Sequence, residues 1–225
     1  MQKNTPTSQS GNILFLILIA VALFAALSFA VSQSMRGSGS GGTTEEKGRI
    51  DSAYLQQFPT SIRQAIVRMR ISNTLKPEDV SFAHPGSVTY GVFGTTPSHE
   101  VFHPQGGATV YQAPPNEIND GSDWIFNGDI EVANLGTTNG TSSSSELVAF
   151  LPGVRLDICR YLNQGLTGTL ADPPTVTIAG ETNTFTGTFG YAATLTDPAL
   201  DGKDTFCYYS GTLGKYVFYQ VLIPR

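Results

Sequence analysis

Residues 13–31 read ILFLILIAVALFAALSFAV, nineteen positions among which Ser28 is the only polar one. As a helix this run is about 28 Å long, close to the hydrocarbon thickness of a bilayer. No polar face can be drawn on it, so it needs lipid or like helices on every side. Two fates fit, a retained anchor and a cleaved secretory signal. Ser28-Phe29-Ala30 passes as a small-x-small cleavage site and Lys3 as a weak basic flank. Yet the run exceeds the roughly 7–15 apolar residues of an ordinary signal. The anchor is the favoured reading, and either fate exports the rest of the chain. Arg36, Lys47 and Arg49 lie just beyond the run, and a simple positive-inside count would keep the remainder in the cytoplasm. Long domains behind such a segment translocate largely regardless of charge, so an extracytoplasmic head is expected.

Charge divides along the chain. Residues 1–72 hold seven Lys/Arg and three Asp/Glu, a balance of +4, while residues 73–225 hold six and fifteen, a balance of −9. An acidic head repels phosphate backbones, which argues against a nucleic-acid partner. The opposite signs favour attraction between neighbouring copies. With 13 Phe and 9 Tyr the chain can build a core, and its many Gly, Thr and Ser residues suit short strands joined by turns.

The chain divides into five segments: a short polar leader over 1–11, a transmembrane helix over 12–35, a Gly/Ser-rich hinge over 36–44, an amphipathic helix over 45–72 and a β-rich head over 73–225. The hinge RGSGSGGTT is expected to hold no helix. Thr43 and Glu46 have capping-box spacing. Ile50, Tyr54, Phe58, Ile62, Ile66 and Met69 draw one apolar stripe, and Pro59 is expected to kink the helix or restart it near Thr60. In the head, 87–93 and 108–112 read as short β-prone pieces. Asn127-Gly128 predicts a hairpin turn within 123–132. Ser143 and Glu146 predict a capped helix through Leu151, and a second helix spans 154–163, ended by Gly165 with Leu156, Cys159 and Leu162 inward. Residues 185–195 predict a strand, and 204–209 with 215–223 a hairpin. The last strand, YVFYQVLI, is too continuously apolar for a sheet edge and belongs in the middle. The fold class is therefore α+β: a transmembrane helix, an amphipathic helix and a globular head dominated by antiparallel β-sheet.

One catalytic pattern is present. Residues 99–103 spell HEVFH, and Gly106 extends the H-E-x-x-H spacing of zinc proteases. That chemistry needs a helix to bring both histidines to one face, whereas Pro97 and Pro104 bracket the stretch and Pro104 biases His103 towards extended backbone. A loop with incidental histidines is the expectation, and His84 before Pro85 reads as another loop residue. No G-x-S-x-G elbow or phosphate-binding glycine motif occurs. Asp120 and Asp123, or Asp197, Asp201 and Asp204, lack EF-hand spacing and read as turn residues. Asn139-Gly140-Thr141 matches a glycosylation sequon. Neither catalysis nor a cofactor is expected. Cys159 and Cys207 are the two cysteines. A structural disulfide is favoured over a buried thiol pair, because the anchor implies an oxidising compartment.

A polar leader ending in Gly11, a membrane helix, an amphipathic helix and a β-rich head with late cysteines together resemble type IV pilins and pseudopilins. The resemblance implies cleavage between Gly11 and Asn12, and a filament core built by residues 13–31. It also implies that Cys159 and Cys207 take the place of the C-terminal disulfide loop. Leu16 stands where the family usually carries a glutamate, and Asn12 where it usually carries Phe or Met. The implied protein is a structural subunit of an envelope or surface filament, single-pass in the inner membrane or extracellular once assembled. Its partners would be copies of itself, other pilin-like subunits and membrane lipid. A membrane-tethered module binding a glycan, peptide or protein is the second reading.

Overall fold

A computed structural model describes residues 10–37 and 41–225, with side chains at 14–33 and 45–225. The chain divides into two compact units, Met1–Lys47 and Gly48–Arg225. In the first, helix α1 spans Ser10–Gly37. Helix α2 spans Gly41–Asn73, and its greater part belongs to the second unit. Helix therefore enters both ends of the expected 36–44 hinge, whose residues 38–40 lie outside the described ones, as do residues 1–9 of the expected 1–11 leader. Each glycine costs a helix about 1 kcal/mol, which extension from a long existing helix tolerates better than a fresh nucleus would. Thr43 accordingly sits inside α2 rather than at its cap, and α2 passes Pro59 without restarting at Thr60.

The second unit is built on a six-stranded mixed sheet in the order β3-β5-β6-β2-β1-β4. The strands are β1 (Ile125–Val132), β2 (Glu146–Pro152), β3 (Thr175–Val176), β4 (Ala193–Leu195), β5 (Thr205–Ser210) and β6 (Lys215–Ile223). The middle four pair antiparallel, while the two short edge strands pair parallel to their neighbours. Edges of two and three residues leave little ladder for foreign strands to extend. β6 is central, as its apolar run predicts, and β5 and β6 form the expected hairpin.

Pleat alternation sorts the core into two layers. Leu147, Ala149, Leu151, Cys207, Phe218 and Leu222 share one cluster with Leu55, Phe58, Ile62, Ala65, Ile66 and Met69 of α2. Val148, Phe150, Phe206, Tyr208, Tyr219 and Val221 join the other, on the opposite sheet face. The α2 stripe is thus buried from Leu55 onward, but Ile50 and Tyr54 are 61% and 47% exposed. Steps of four overshoot the 3.6-residue turn, so each step back from Phe58 rotates about 40° off the buried face, and Leu55 takes the place assigned to Tyr54.

Several local expectations are corrected. Residues 125–132 form one strand rather than a hairpin, with a register irregularity between Asn127 and Ile130. The Asn127 amide donates to the Gly180 carbonyl (2.7 Å), its Oδ1 accepts the Asp129 N–H (2.7 Å), and a Cβ on Gly128 would lie 2.5 Å from the Phe185 ring. This Asn-Gly pair makes a bulge under packed aromatics. Residues 146–152 are a wholly buried strand, not a helix. Helix α3 spans Leu156–Thr167, passes Gly165, and ends at Gly168, whose φ of 78° only glycine adopts freely; its buried positions include Cys159 and Leu162, with Leu156 only half-buried. Of 185–195 only Ala193–Leu195 is strand, and 87–93 and 108–112 form none.

Candidate functional site

The first candidate is α1 itself. Leu14–Gln33 is long and apolar enough to cross a membrane, as an anchor or a signal sequence would be. All the side chains of Leu14–Gln33 are exposed, Leu14, Phe24 and Val31 among them, so no described residue of its own unit covers that apolar surface. Leu16 is one of them. Gly11 and Asn12 lie in the first turn of α1, and their side chains are outside the described residues.

The second candidate is the clasp between α3 and β5. Cys159 and Cys207 are disulfide-bonded with their Cα atoms 5.3 Å apart. One turn further along α3, the buried Asn163 donates its amide to the Cys207 carbonyl (2.8 Å) and accepts the Cys207 N–H at Oδ1 (3.0 Å). Its carboxamide pairs with the sheet-edge backbone as a neighbouring strand would. Sequence patterns do not single out Asn163, although an amide one turn beyond a buried half-cystine is a usable signal. Asn163→Ala leaves both backbone groups of Cys207 buried without partners, which costs about 2–3 kcal/mol. We expect a lowered urea midpoint with the disulfide intact, and an unchanged midpoint refutes the role.

The H-E-x-x-H stretch is organised differently. His99 closes a 3-10 turn, Pro97–His99, and Glu100 is extended at φ −86°, ψ 122°, so no helix joins the histidines. The buried Glu100 carboxylate accepts N–H groups from Gly94 (2.9 Å) and Thr96 (3.1 Å), and the Glu100 carbonyl accepts the Gly107 N–H (3.0 Å). It ties a loop together. His103 Nδ1 accepts the Gln105 N–H (3.1 Å). Among the described residues no group of three or more His, Cys, Asp or Glu is placed to hold a metal. His84 lies in a loop, as expected, but its ring is buried in the core and stacked 4.0 Å from Tyr111. Of the aspartates, Asp204 pairs with Arg63 at 2.6 Å, and Asp201 accepts the Asp197 N–H at 2.9 Å. Asp120 pairs with Lys215 at 2.6 Å, and its hydrogen bond to that ammonium holds it down at about 2.

Two buried glutamates lie near the β1–β2 connection; the sequence marks Glu146 only as a helix-capping residue and Glu131 not at all. The Glu131 carboxylate accepts N–H groups from Asn139 (3.0 Å) and Gly140 (2.9 Å) and hydroxyls from Ser144 and Thr194. Burial alone would push its carboxyl up, but these four donors together hold it below the usual carboxylate range. Glu146, fully buried, accepts the Val132 N–H at Oε2 (2.7 Å), while its Oε1 has no hydrogen-bond partner among the described residues. Burial pushes Glu146 up to about 8, with the nearby Glu131 charge adding to the rise.

The arrangement is that of an α+β chain with, among the described residues, one candidate membrane helix, a second helix laid on a mixed sheet, and a disulfide-clasped head, an architecture compatible with pilin-like proteins. No family model, curated protein or solved structure matches the chain.

Proposed function

We propose that this protein is a pilin-like structural subunit of an envelope or cell-surface filament, held in the inner membrane by α1 with its head outside the cytoplasm. The observation that carries this reading is α1, whose every described side chain is exposed over a span of membrane length. Lipid covers that surface before assembly, and neighbouring copies or other pilin-like subunits cover it afterwards, so cohesion is mechanical and needs no catalytic group. Leu16 makes the contact apolar where the family usually places a carboxylate, which leaves subunit register to the heads.

One observation favours the second reading, a tethered binding module. A cleft of about 500 Å³ opens between 78–100 and 185–187, lined by Glu78, Thr95, Thr96, His99 and Thr186 among others, a size that suits a small ligand. N-terminal mass determination on protein from native membranes, with electron microscopy of sheared surface material, separates the two. The filament reading predicts a mature end at Asn12 and visible filaments. An intact Met1 or Gln2 end without filaments assigns the chain to the binding class, and an end near Val31 marks a signal peptide and removes both.

A further inference from the structure

We infer that Asn139 is the acceptor for an N-linked glycan, an inference that rests on the extracytoplasmic head proposed above. Asn139-Gly140-Thr141 is the single N-x-S/T triplet of the sequence with a residue other than proline in the middle, and the fold presents it. The backbone at this point is pinned inward: both the Asn139 and Gly140 N–H groups donate to one oxygen of the buried Glu131. Gly140 turns the chain through a left-handed conformation at φ 68°, and a Cβ there would meet nothing nearer than Tyr191 Oη at 3.5 Å. With the main chain held from below, the Asn139 side chain lies on the outer surface.

The sequon partners already touch. Thr141 donates its hydroxyl (2.6 Å) and its N–H (3.1 Å) to Asn139 Oδ1, which sets the carboxamide and the hydroxyl two residues on side by side, the pair a glycosyltransferase reads. Asn139 Nδ2 donates to the exposed Ser143 hydroxyl at 3.1 Å, a neutral surface bond that water can replace. The donor is a polyprenyl phosphate- or diphosphate-linked saccharide, brought to the membrane face by a transferase. A bond forms between Nδ2 and the anomeric carbon, the carbon–oxygen bond to phosphate breaks, the lipid phosphate leaves with the bonding electrons, and the Nδ2 proton passes to a base of the transferase. No electrons are exchanged with an oxidant or reductant.

Cleavage at glutamate of full-length protein from native membranes releases residues 132–146, which contain the whole loop. The expected result is a saccharide mass increment on this peptide. It disappears in N139Q and T141A and persists in T141S, with N139Q still unfolding in one cooperative thermal transition. An unmodified native peptide overturns the inference, as does an increment that survives N139Q and so sits on a hydroxyl. External protease added to intact spheroplasts separates the two failures: a head cut from outside but carrying no sugar sinks the glycan alone, whereas a protected head sinks the extracytoplasmic placement with it.

Discussion

Glu146→Gln is expected to stabilise the head at alkaline pH and to remove most of its pH dependence between 5 and 8. The carboxyl is fully buried, accepts the Val132 N–H, and is pushed up by burial from 4.5 to about 8. Its folded pKa is raised, so the folded state holds a proton that the unfolded chain releases near 4.5. Stability is therefore fully present below that pH, falls as pH rises, and reaches its floor above about 8. The rise corresponds to about 5 kcal/mol across the window. Two charges face the group: Glu131 strengthens the effect and Arg225 opposes it. Glutamine keeps an acceptor for Val132 and never ionises. Urea unfolding at pH 4.5, 7 and 9 should show near-equal midpoints at the lowest pH and a variant several kcal/mol more stable at the highest. Parallel pH profiles for the two proteins would show that Glu146 is not the source. Glu131, held low by its donors, acts with the opposite sign: its contribution is present above the unfolded pKa and is lost in acid.

Cys159→Ser should cost about 4 kcal/mol, the loop entropy released to the unfolded chain by a crosslink spanning 48 residues. The local effect is specific, because Asn163 stays in place and still pairs with Cys207. The α3–β5 clasp then rests on hydrogen bonds alone. We expect the variant to fold and to match wild-type protein treated with dithiothreitol in its denaturant midpoint. A loss below about 1 kcal/mol in both would show that the disulfide adds little beyond the carboxamide clasp.

Legibility in the sequence is uneven, and the unevenness has causes. The β5–β6 hairpin and the central place of β6 are legible because a strand whose last seven residues are nearly all apolar has no stable home at a sheet edge. β2 reads as a helix because Ser143 and Glu146 have capping-box spacing, and nothing in the run corrects that reading: all seven residues of the strand are buried, and burial on both faces erases the alternation by which strands are recognised. Asn127-Gly128 carries the strongest hairpin signal in the chain, yet tertiary packing uses it as a bulge: the Gly180 carbonyl takes the amide, and the Phe185 ring needs the space a Cβ would fill. His84, beside a proline, reads as a loop residue, and only the folded chain brings Tyr111 against its ring.

By itself the amino-acid order determined the apolar segment, the acidic balance of the head, the amphipathic character of α2 and the presence of two cysteines, since each depends on composition or on period within one element. The tertiary structure alone decided that those cysteines meet, that Asn163 completes the edge of β5, that Glu100 ties a loop, and that Glu131 and Glu146 lie buried near the β1–β2 connection. Those outcomes join residues on separate elements, where a side chain's partners depend on which strands become neighbours, and strand order is settled by the packing of both sheet faces together.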